Sequence, residues 1–367
     1  MQLTSLSIDN FKNIRRARLE FSPKINGLLG NNGMGKSNLL DAIHTLSFCK
    51  SFTGVTDAML ITRDEDFAML KGNYLRRDTD EDLTMGLARG RRKTLKRKGK
   101  EYQRLSEHIG TFPLVMVSPA DIDLIREGAE ERRKLIDMVI SQSDPRYLDA
   151  LIRYGRALEQ RNRMLREGTV DHTLYDAVEM AMEMSASYIV ESRREWVSKL
   201  TPIFERHYRR ISGGNEMPQL NYSTRMADGV TLAELLDRER RHDEIVRHTS
   251  VGPHRDDLGL TLDGMEMRRT GSQGQCKTFT IALRLAQYEF LGKATGMRPL
   301  LLLDDIFDKL DADRVERIME IVEDPAFGQI FITDTNRTHL DEIVNRTAVD
   351  FRLWEVTSGN FSPIGHQ

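Results

Sequence analysis

The chain has 367 residues, enough for two or three compact units around a substantial core. Its formal net charge of −2 leaves the average field close to neutral, so any affinity for nucleic acid has to come from local patches. Two distant cysteines, Cys49 and Cys276, argue against a disulfide framework or a zinc cluster, and no apolar run approaches the roughly 18 residues needed to span a bilayer. Met1 to Phe11 mixes Asp9 and Asn10 among its apolar residues, unlike a signal peptide, and a cytoplasmic protein with no membrane segment is expected.

Short alternating runs come first along the chain. Leu6 and Ile8, then Ala17, Leu19 and Phe21, then Phe67, Met69 and Tyr74, then Leu83, Met85 and Leu87 predict strands of an antiparallel sheet, with an acidic turn from Asp78 to Asp82. Pro113 to Val117 reads as a strand buried on both faces.

Within this region lies a complete Walker A phosphate loop, Gly30-Asn31-Asn32-Gly33-Met34-Gly35-Lys36-Ser37, followed by Asn38. It sits between an apolar run ending Gly27-Leu28-Leu29 and the helical spacing Leu39, Leu40, Ile43, Leu46. Glycines let backbone amides close around phosphates, Lys36 supplies a point charge for the β and γ oxygens, and the Ser37 hydroxyl suits Mg²⁺. A helix from 35 to 47 adds its positive N-terminus. The motif implies a nucleoside triphosphate ligand, with the Lys36 side chain expected to point into solvent when no nucleotide is bound.

Residues 89–100 carry eight basic side chains in twelve, among them Arg91, Arg92, Lys96 and Arg97. Such a run can neutralise several DNA phosphates with little sequence preference, although a basic edge strand also protects a sheet from aggregation. No aromatic residue interleaves it, so base stacking is not expected there.

From about Glu130 to His248 the pattern turns helical, with charged stretches carrying apolar residues three and four apart, and afterwards the α/β pattern resumes. Leu258, Leu260 and Leu262, the Asp263-Gly264 turn, and Met265 and Met267 signal a hairpin. The organisation expected is an α/β head in two parts, 1–128 and 249–367, interrupted by a helical arm at 129–248.

Ser272-Gln273-Gly274-Gln275 opens a helical run through Ile281, Ala282, Leu285 and Tyr288. A hydroxyl and free backbone amides at a helix start form a natural γ-phosphate receptor, although a plain capping turn has the same composition. Leu300 to Leu303 followed by Asp304-Asp305 reads as a buried parallel strand carrying two carboxylates at the end where α/β sheets place ligands. As a Walker B pair, Asp304 would hold Mg²⁺ and Asp305 would polarise the water that attacks the γ-phosphate.

In this order the motifs resemble an ABC-type ATPase head. Ser272 to Gln275 resembles the signature sequence, Asp308-Lys309-Leu310-Asp311 the D-loop, and Ile332-Thr333-Asp334 the switch position. The resemblance implies a mixed sheet bearing the phosphate loop, an antiparallel β subdomain, and two heads sandwiching ATP, each signature acting on its partner's nucleotide.

Within that superfamily the chain resembles the RecF family over nearly its whole length. The strings that carry this are Leu6 to Asn13, Ser118 to Ile125, Glu131 to Asp137 and Val251 to Leu258. Departures include Ala129, Leu135, Thr53 where relatives often carry arginine, and Phe307-Asp308-Lys309 in the D-loop. The resemblance implies a cytoplasmic, ATP- and Mg²⁺-dependent homodimer that binds single- and double-stranded DNA in replication, repair and the SOS response. It further implies a weak, DNA-stimulated ATPase that works with RecR and RecO type mediators to load recombinase at single-strand gaps. Asp305, one methylene shorter than the glutamate of many relatives, implies slow turnover. His254 reads first as a structurally hydrogen-bonded histidine and second as a contact to phosphate or a switch element, and Arg132 and Arg133 as residues that bind DNA or couple it to the head, or else as a solvated helix face. The rival reading is the motor subunit of an ABC transporter, which would share the Walker and signature residues.

Overall fold

The structure, a computed structural model, describes residues 1–169, 171–214, 216–227, 229–307, 310–336 and 350–364. It divides into two compact units, one made of Met1–Asp121 with Gln287–Gln367 and one of Ile122–Ala286. The second unit starts before residue 129 and runs past 248, taking in the signature segment that the sequence assigned to the head. The cause is a long-range pairing. Asp257–Leu262 takes Pro218–Ser223 as its antiparallel neighbour, a strand inside the stretch read as helical.

Among the described residues, the first unit holds two six-stranded sheets. One runs in the order Asn360–Ile364, Phe351–Thr357, Ile25–Leu29, Ile330–Asp334, Leu300–Asp304, Leu114–Val117, parallel except for the first. Leu114–Val117, Leu300–Asp304 and Ile330–Asp334 are buried at every position, which is why they read as unbroken apolar runs.

The other sheet is antiparallel, in the order Ile14–Glu20, Gln2–Phe11, Phe67–Arg76, Thr79–Ala88, Thr94–Arg97, Lys100–Glu101. Its details correct two expectations. The turn is only Arg77-Asp78, both left-handed at φ 49° and 57°, so Thr79 to Asp82 already belong to the strand. The buried face of Phe67–Arg76 carries Ala68, Leu70, Gly72 and Tyr74, and Phe67 and Met69 stand on the exposed face. Gln329 fastens the two sheets together: its side chain accepts from Leu3 N at 2.6 Å and donates to the carbonyls of Leu3 and Ser22, each at 2.8 Å.

The second unit contains the helices Ala129–Ser143, Pro145–Glu167, His172–Ser212 and Leu232–Val246 with the three-stranded sheet Met265–Glu266, Asp257–Leu262, Pro218–Ser223. The helix ends are encoded locally. Asp144 and Asp171 accept from the first free amides, Gly168 and Gly213 close the C-termini in left-handed conformation, and Thr231 with Glu234 forms a capping box.

Two buried arginines organise this unit. Arg161, fully buried, donates to Glu179 at 2.9 Å, Asp243 at 2.7 Å and Thr249 Oγ1 at 2.9 Å. Arg193 donates to Asp137 at 2.9 Å, Asp256 at 3.1 Å and the Pro253 carbonyl at 2.7 Å. Both reach into the segment 249–257, which explains the Val251 to Leu258 string as a stapled turn. Arg132 pairs with Asp257 at 2.8 Å and Arg133 donates to the Asp256 carbonyl at 2.6 Å, so neither forms a merely solvated face. Gly252 has φ 118°, and a Cβ there would lie 2.4 Å from Tyr154 Oη.

Candidate nucleotide-binding site

The parallel register brings the chemistry together. Asp334 pairs with Leu29 and Asp304 with Thr333, so the phosphate loop, the Walker B strand and the switch strand all end at the same edge of the sheet. From Ile25–Leu29 the chain passes through the loop into the helix Lys36–Phe48. Asn31, Asn32 and Gly33 are exposed at the crest, while Gly35 and Lys36 are buried.

Gly35 is at φ 116°, and a Cβ would approach Asn13 Oδ1 to 2.9 Å. Asn13 had no assigned role, yet it holds the loop. Its Nδ2 donates to the Met34 carbonyl at 3.2 Å, and its Oδ1 accepts from Asn38 Nδ2 at 2.8 Å. The Gly359 amide reaches the same Met34 carbonyl at 2.7 Å. The loop's shape is thus fixed by side chains and by a turn more than 300 residues away.

Lys36 does not project into solvent. It is 4% exposed and donates to the carbonyls of Gly30 at 2.6 Å and Asn31 at 3.2 Å, bracing the loop with its own charge.

Ser37 Oγ donates to Asp304 Oδ1 at 2.8 Å, and Thr333 Oγ1 donates to the same oxygen at 2.7 Å. Burial raises the Asp304 carboxyl above its usual value, the hydrogen bonds from Thr333 and Ser37 pull it back down, and the neighbouring Asp305 pushes it up again. Hydroxyl and carboxylate oxygens converging here are the donor types that a hard cation takes, with phosphate oxygens and water completing its shell. Thr333 was legible only as part of the switch string; a lone hydroxyl on an otherwise apolar strand was its signal.

Asp305 sits at φ 44°, the left-handed region that costs a non-glycine residue energy. Its amide donates to Thr333 Oγ1 at 2.9 Å, which holds the strained turn. Asp334 is 6% exposed, with its carboxylate accepting from the Asn336 amide and its carbonyl from the Gly30 amide at 3.4 Å. Asp311 caps the helix Ala312–Glu323, accepting from Arg314 N at 2.9 Å. Asp308 and Lys309 of the D-loop lie outside the described residues.

In the second unit, Ser272 and Gln275 form a reciprocal box. The Ser272 amide donates to Gln275 Oε1 at 2.9 Å, and the Gln275 amide donates to Ser272 Oγ at 3.2 Å. Gln275 also donates to Glu216 at 2.7 Å. Ser272 and Gln273 are exposed and Gly274 is half-buried, at the start of the helix Gln273–Thr295.

The basic run divides by role. Arg97 makes a bidentate pair with Glu81 at 2.7 and 2.9 Å, so its charge is already engaged within the protein. Lys93 donates to the Cys49 carbonyl at 2.6 Å and to Asp57 at 2.8 Å, tying the run to the end of the phosphate-loop helix. Arg91, Arg92 and Lys96 are exposed. His254 lies against Tyr154 Oη at 2.7 Å and the Thr249 carbonyl at 3.1 Å, and burial lowers its pKa to about 4. It is a neutral structural histidine that donates from Nε2.

Comparison with known proteins places this geometry. The model of the RecF/RecN/SMC N terminal domain family matches residues 2–353. A DNA replication and repair protein RecF from Parabacteroides distasonis is 49% identical, with 99% of this chain and all of that protein covered. One from Porphyromonas gingivalis is 48% identical over 98% of this chain and 99% of its own length. Among solved structures, the recombination mediator protein RecF-ATP in the RecFOR pathway aligns at a TM-score of 0.89 and 29% identity, covering 99% of this chain and 98% of its own. The Smc head domain from Pyrococcus furiosus, at 16% identity and a TM-score of 0.59 over 99% of this chain and 96% of its own, shares the fold.

Proposed function

This chain belongs to the RecF family of DNA replication and repair proteins, and from that premise we propose that it is an ATP-switched, DNA-binding dimer that helps load recombinase at single-strand gaps. The observation that carries the reading is the convergence of Ser37, Asp304 and Thr333 beside a phosphate loop braced by Lys36. ATP is the nucleotide, by likeness to the RecF-ATP structure. Nothing in these relatives favours a transporter motor, and among the described residues no helix is long and apolar enough to cross a membrane.

Ser37 and Asp304 would hold Mg²⁺, which supplies charge neutralisation at the β and γ phosphates. The loop amides from Asn31 to Lys36 and the N-terminus of Lys36–Phe48 bind the phosphates, and the Lys36 ammonium moves its hydrogen bonds from the loop carbonyls to phosphate oxygens. Asp305 orients the attacking water. With one carboxylate on a short side chain for this task, hydrolysis is slower than the roughly 1 to 100 per second of phosphoryl-transfer kinases. Ser272 to Gln275 of one head would meet the γ-phosphate held by the other, which makes dimerisation part of ATP binding. Domain roles follow: 1–128 with much of 249–367 forms the ATPase head, and the helical region 129–248 forms an arm.

DNA contacts fall to Arg91, Arg92 and Lys96, whose exposed charges suit backbone phosphates of single or double strands, while Arg97 steadies the strand that presents them. RecR and RecO type mediators are the partners that the RecFOR pathway supplies to such a protein, in the cytoplasm. Salt titration of DNA binding with and without ATP tests the reading. Binding that tightens with ATP in the wild type but not in Lys36→Ala supports it; ATP-independent binding in both contradicts it.

A further inference from the structure

The helices Pro145–Glu167 and His172–Ser212 pack side by side and antiparallel, as the contacts Arg161 to Glu179 and Tyr188 to Asp144 show. Away from their buried seam they form an open groove of about 640 Å³. Its floor carries Ala150 and Ala157, seven apart on one helix, and Ala181 and Met184, three apart on the other. Met184 is 76% exposed, and Met180, one turn away on the same helix, 69%. Unbranched, polarisable methionines on a surface suit an apolar partner that must be gripped without a rigid socket.

The rim is predominantly basic. Arg146, Arg153 and Arg156 line the groove against a single acid, Asp149, a local surplus of two positive charges on a chain whose net charge is −2. Asp149 pairs with Arg153 at 2.8 Å, and neither the Arg146 nor the Arg156 guanidinium makes an ion pair among the described residues. The stripe from Arg146 to Gln160 extends about 20 Å along its helix, the length of roughly four helical turns.

We propose that this groove docks an acidic amphipathic helix of a partner protein, laid in as a third helix with its apolar stripe on the alanine and methionine floor and its carboxylates against Arg146, Arg153 and Arg156. The apolar floor favours such a helix over nucleic acid, whose backbone offers cations no apolar face to cover. None of the residues lining the groove belongs to the phosphate loop, the Walker B strand or the basic run at 89–100.

A fluorescein-labelled helical peptide of about 20 residues, with leucines three and four apart and glutamates elsewhere, is a suitable probe, beside the same peptide with lysine for glutamate and a labelled DNA duplex. Met184→Glu and Arg156→Glu both alter exposed side chains, and unchanged melting curves confirm that each still folds. The full chain should bind the acidic peptide and not the basic one, with affinity that falls as salt rises, and each variant should weaken binding roughly tenfold or more while leaving duplex binding unchanged. Absent binding, equal binding of both peptides, insensitivity to both variants, or loss of duplex binding in Arg156→Glu would each overturn the proposal.

Discussion

Ser37 Oγ lies 2.8 Å from Asp304 Oδ1, although 267 positions separate the two residues in the chain. The contact exists because the strands before the phosphate loop and before Asp304 flank Ile330–Asp334 in one parallel sheet, and Thr333 on that middle strand donates to the same carboxylate. Metal dependence of nucleotide binding should therefore reside in this pair. Calorimetric titration should show wild-type ATP affinity dropping when Mg²⁺ is chelated, whereas Ser37→Ala, already lacking the hydroxyl, should bind weakly and respond little to chelation. A full Mg²⁺ response in Ser37→Ala would place the cation elsewhere.

Stability should fall on mild acidification. Burial lowers both His108 and His254 to about 4 from an ordinary 6.5. His108 donates from Nε2 to the Leu46 carbonyl, and its Nδ1 has no hydrogen-bond partner among the described residues. Between pH 6.5 and about 4 the unfolded chain takes up protons that the folded one refuses, so the folded state loses roughly 1.4 kcal/mol per pH unit for each histidine. The stabilisation is complete above pH 6.5. Denaturant melts from about pH 7 to pH 5 should show this slope, reduced in His108→Gln; a flat profile would contradict the buried neutral assignment.

The arginine staples predict a division by mechanism. Removing Arg193 leaves Asp256 buried without its cation, a loss of about 3–5 kcal/mol. Gly252→Ala should also destabilise, because the new Cβ would meet Tyr154 Oη in a left-handed backbone. Gly155 offers the reverse case: it is exposed inside a 23-residue helix with nothing near its missing Cβ, so Gly155→Ala should stabilise by about 0.5–1 kcal/mol. Melting curves of the three variants would show whether the ordering holds.

Within the basic run, Arg97→Ala should lower stability by removing the bidentate partner of buried Glu81, which keeps only the longer contacts to Arg76 at 3.6 Å and Lys98 at 3.8 Å, while Arg91→Ala, Arg92→Ala and Lys96→Ala should leave melting unchanged. Each of those three should instead flatten the log-log salt dependence of DNA binding by about 0.9 per lost phosphate contact. An unchanged slope in the triple variant would show that the run serves only to solvate its strand.

Local chemistry made much of this legible. The glycines, Lys36 and Ser37 sit in one octapeptide, and four leucines before Asp304 read as a strand buried on both faces, so the loop and the carboxylate were readable before their meeting was. Helix caps such as Asp144 and Gly168 are encoded just as locally, by the residue beside each helix end. Long-range events were not legible. The pairing of Pro218–Ser223 with Asp257–Leu262 carried the 249–286 segment into the second unit, and no periodicity within either strand announces the other. Asn13 and Thr333 act through partners 21 or more positions away, and Lys36 turns inward because two loop carbonyls converge on it. The alternation in Phe67–Arg76 was misread by one residue because Phe67 and Met69 are apolar on the exposed face, where hydrophobicity alone gives no sign of direction.

Light scattering with ATP, ADP and no nucleotide, on the wild type, Ser272→Arg and Asp305→Asn, tests the shared-site mechanism most directly. Asn tolerates the left-handed backbone that Asp305 occupies at φ 44°, so Asp305→Asn removes the carboxylate without disturbing the turn. The wild type should dimerise with ATP only, Asp305→Asn should form a longer-lived ATP dimer, and Ser272→Arg should bind ATP yet remain monomeric. A wild type that stays monomeric with ATP, or a Ser272→Arg protein that dimerises normally, would contradict a nucleotide shared between two heads.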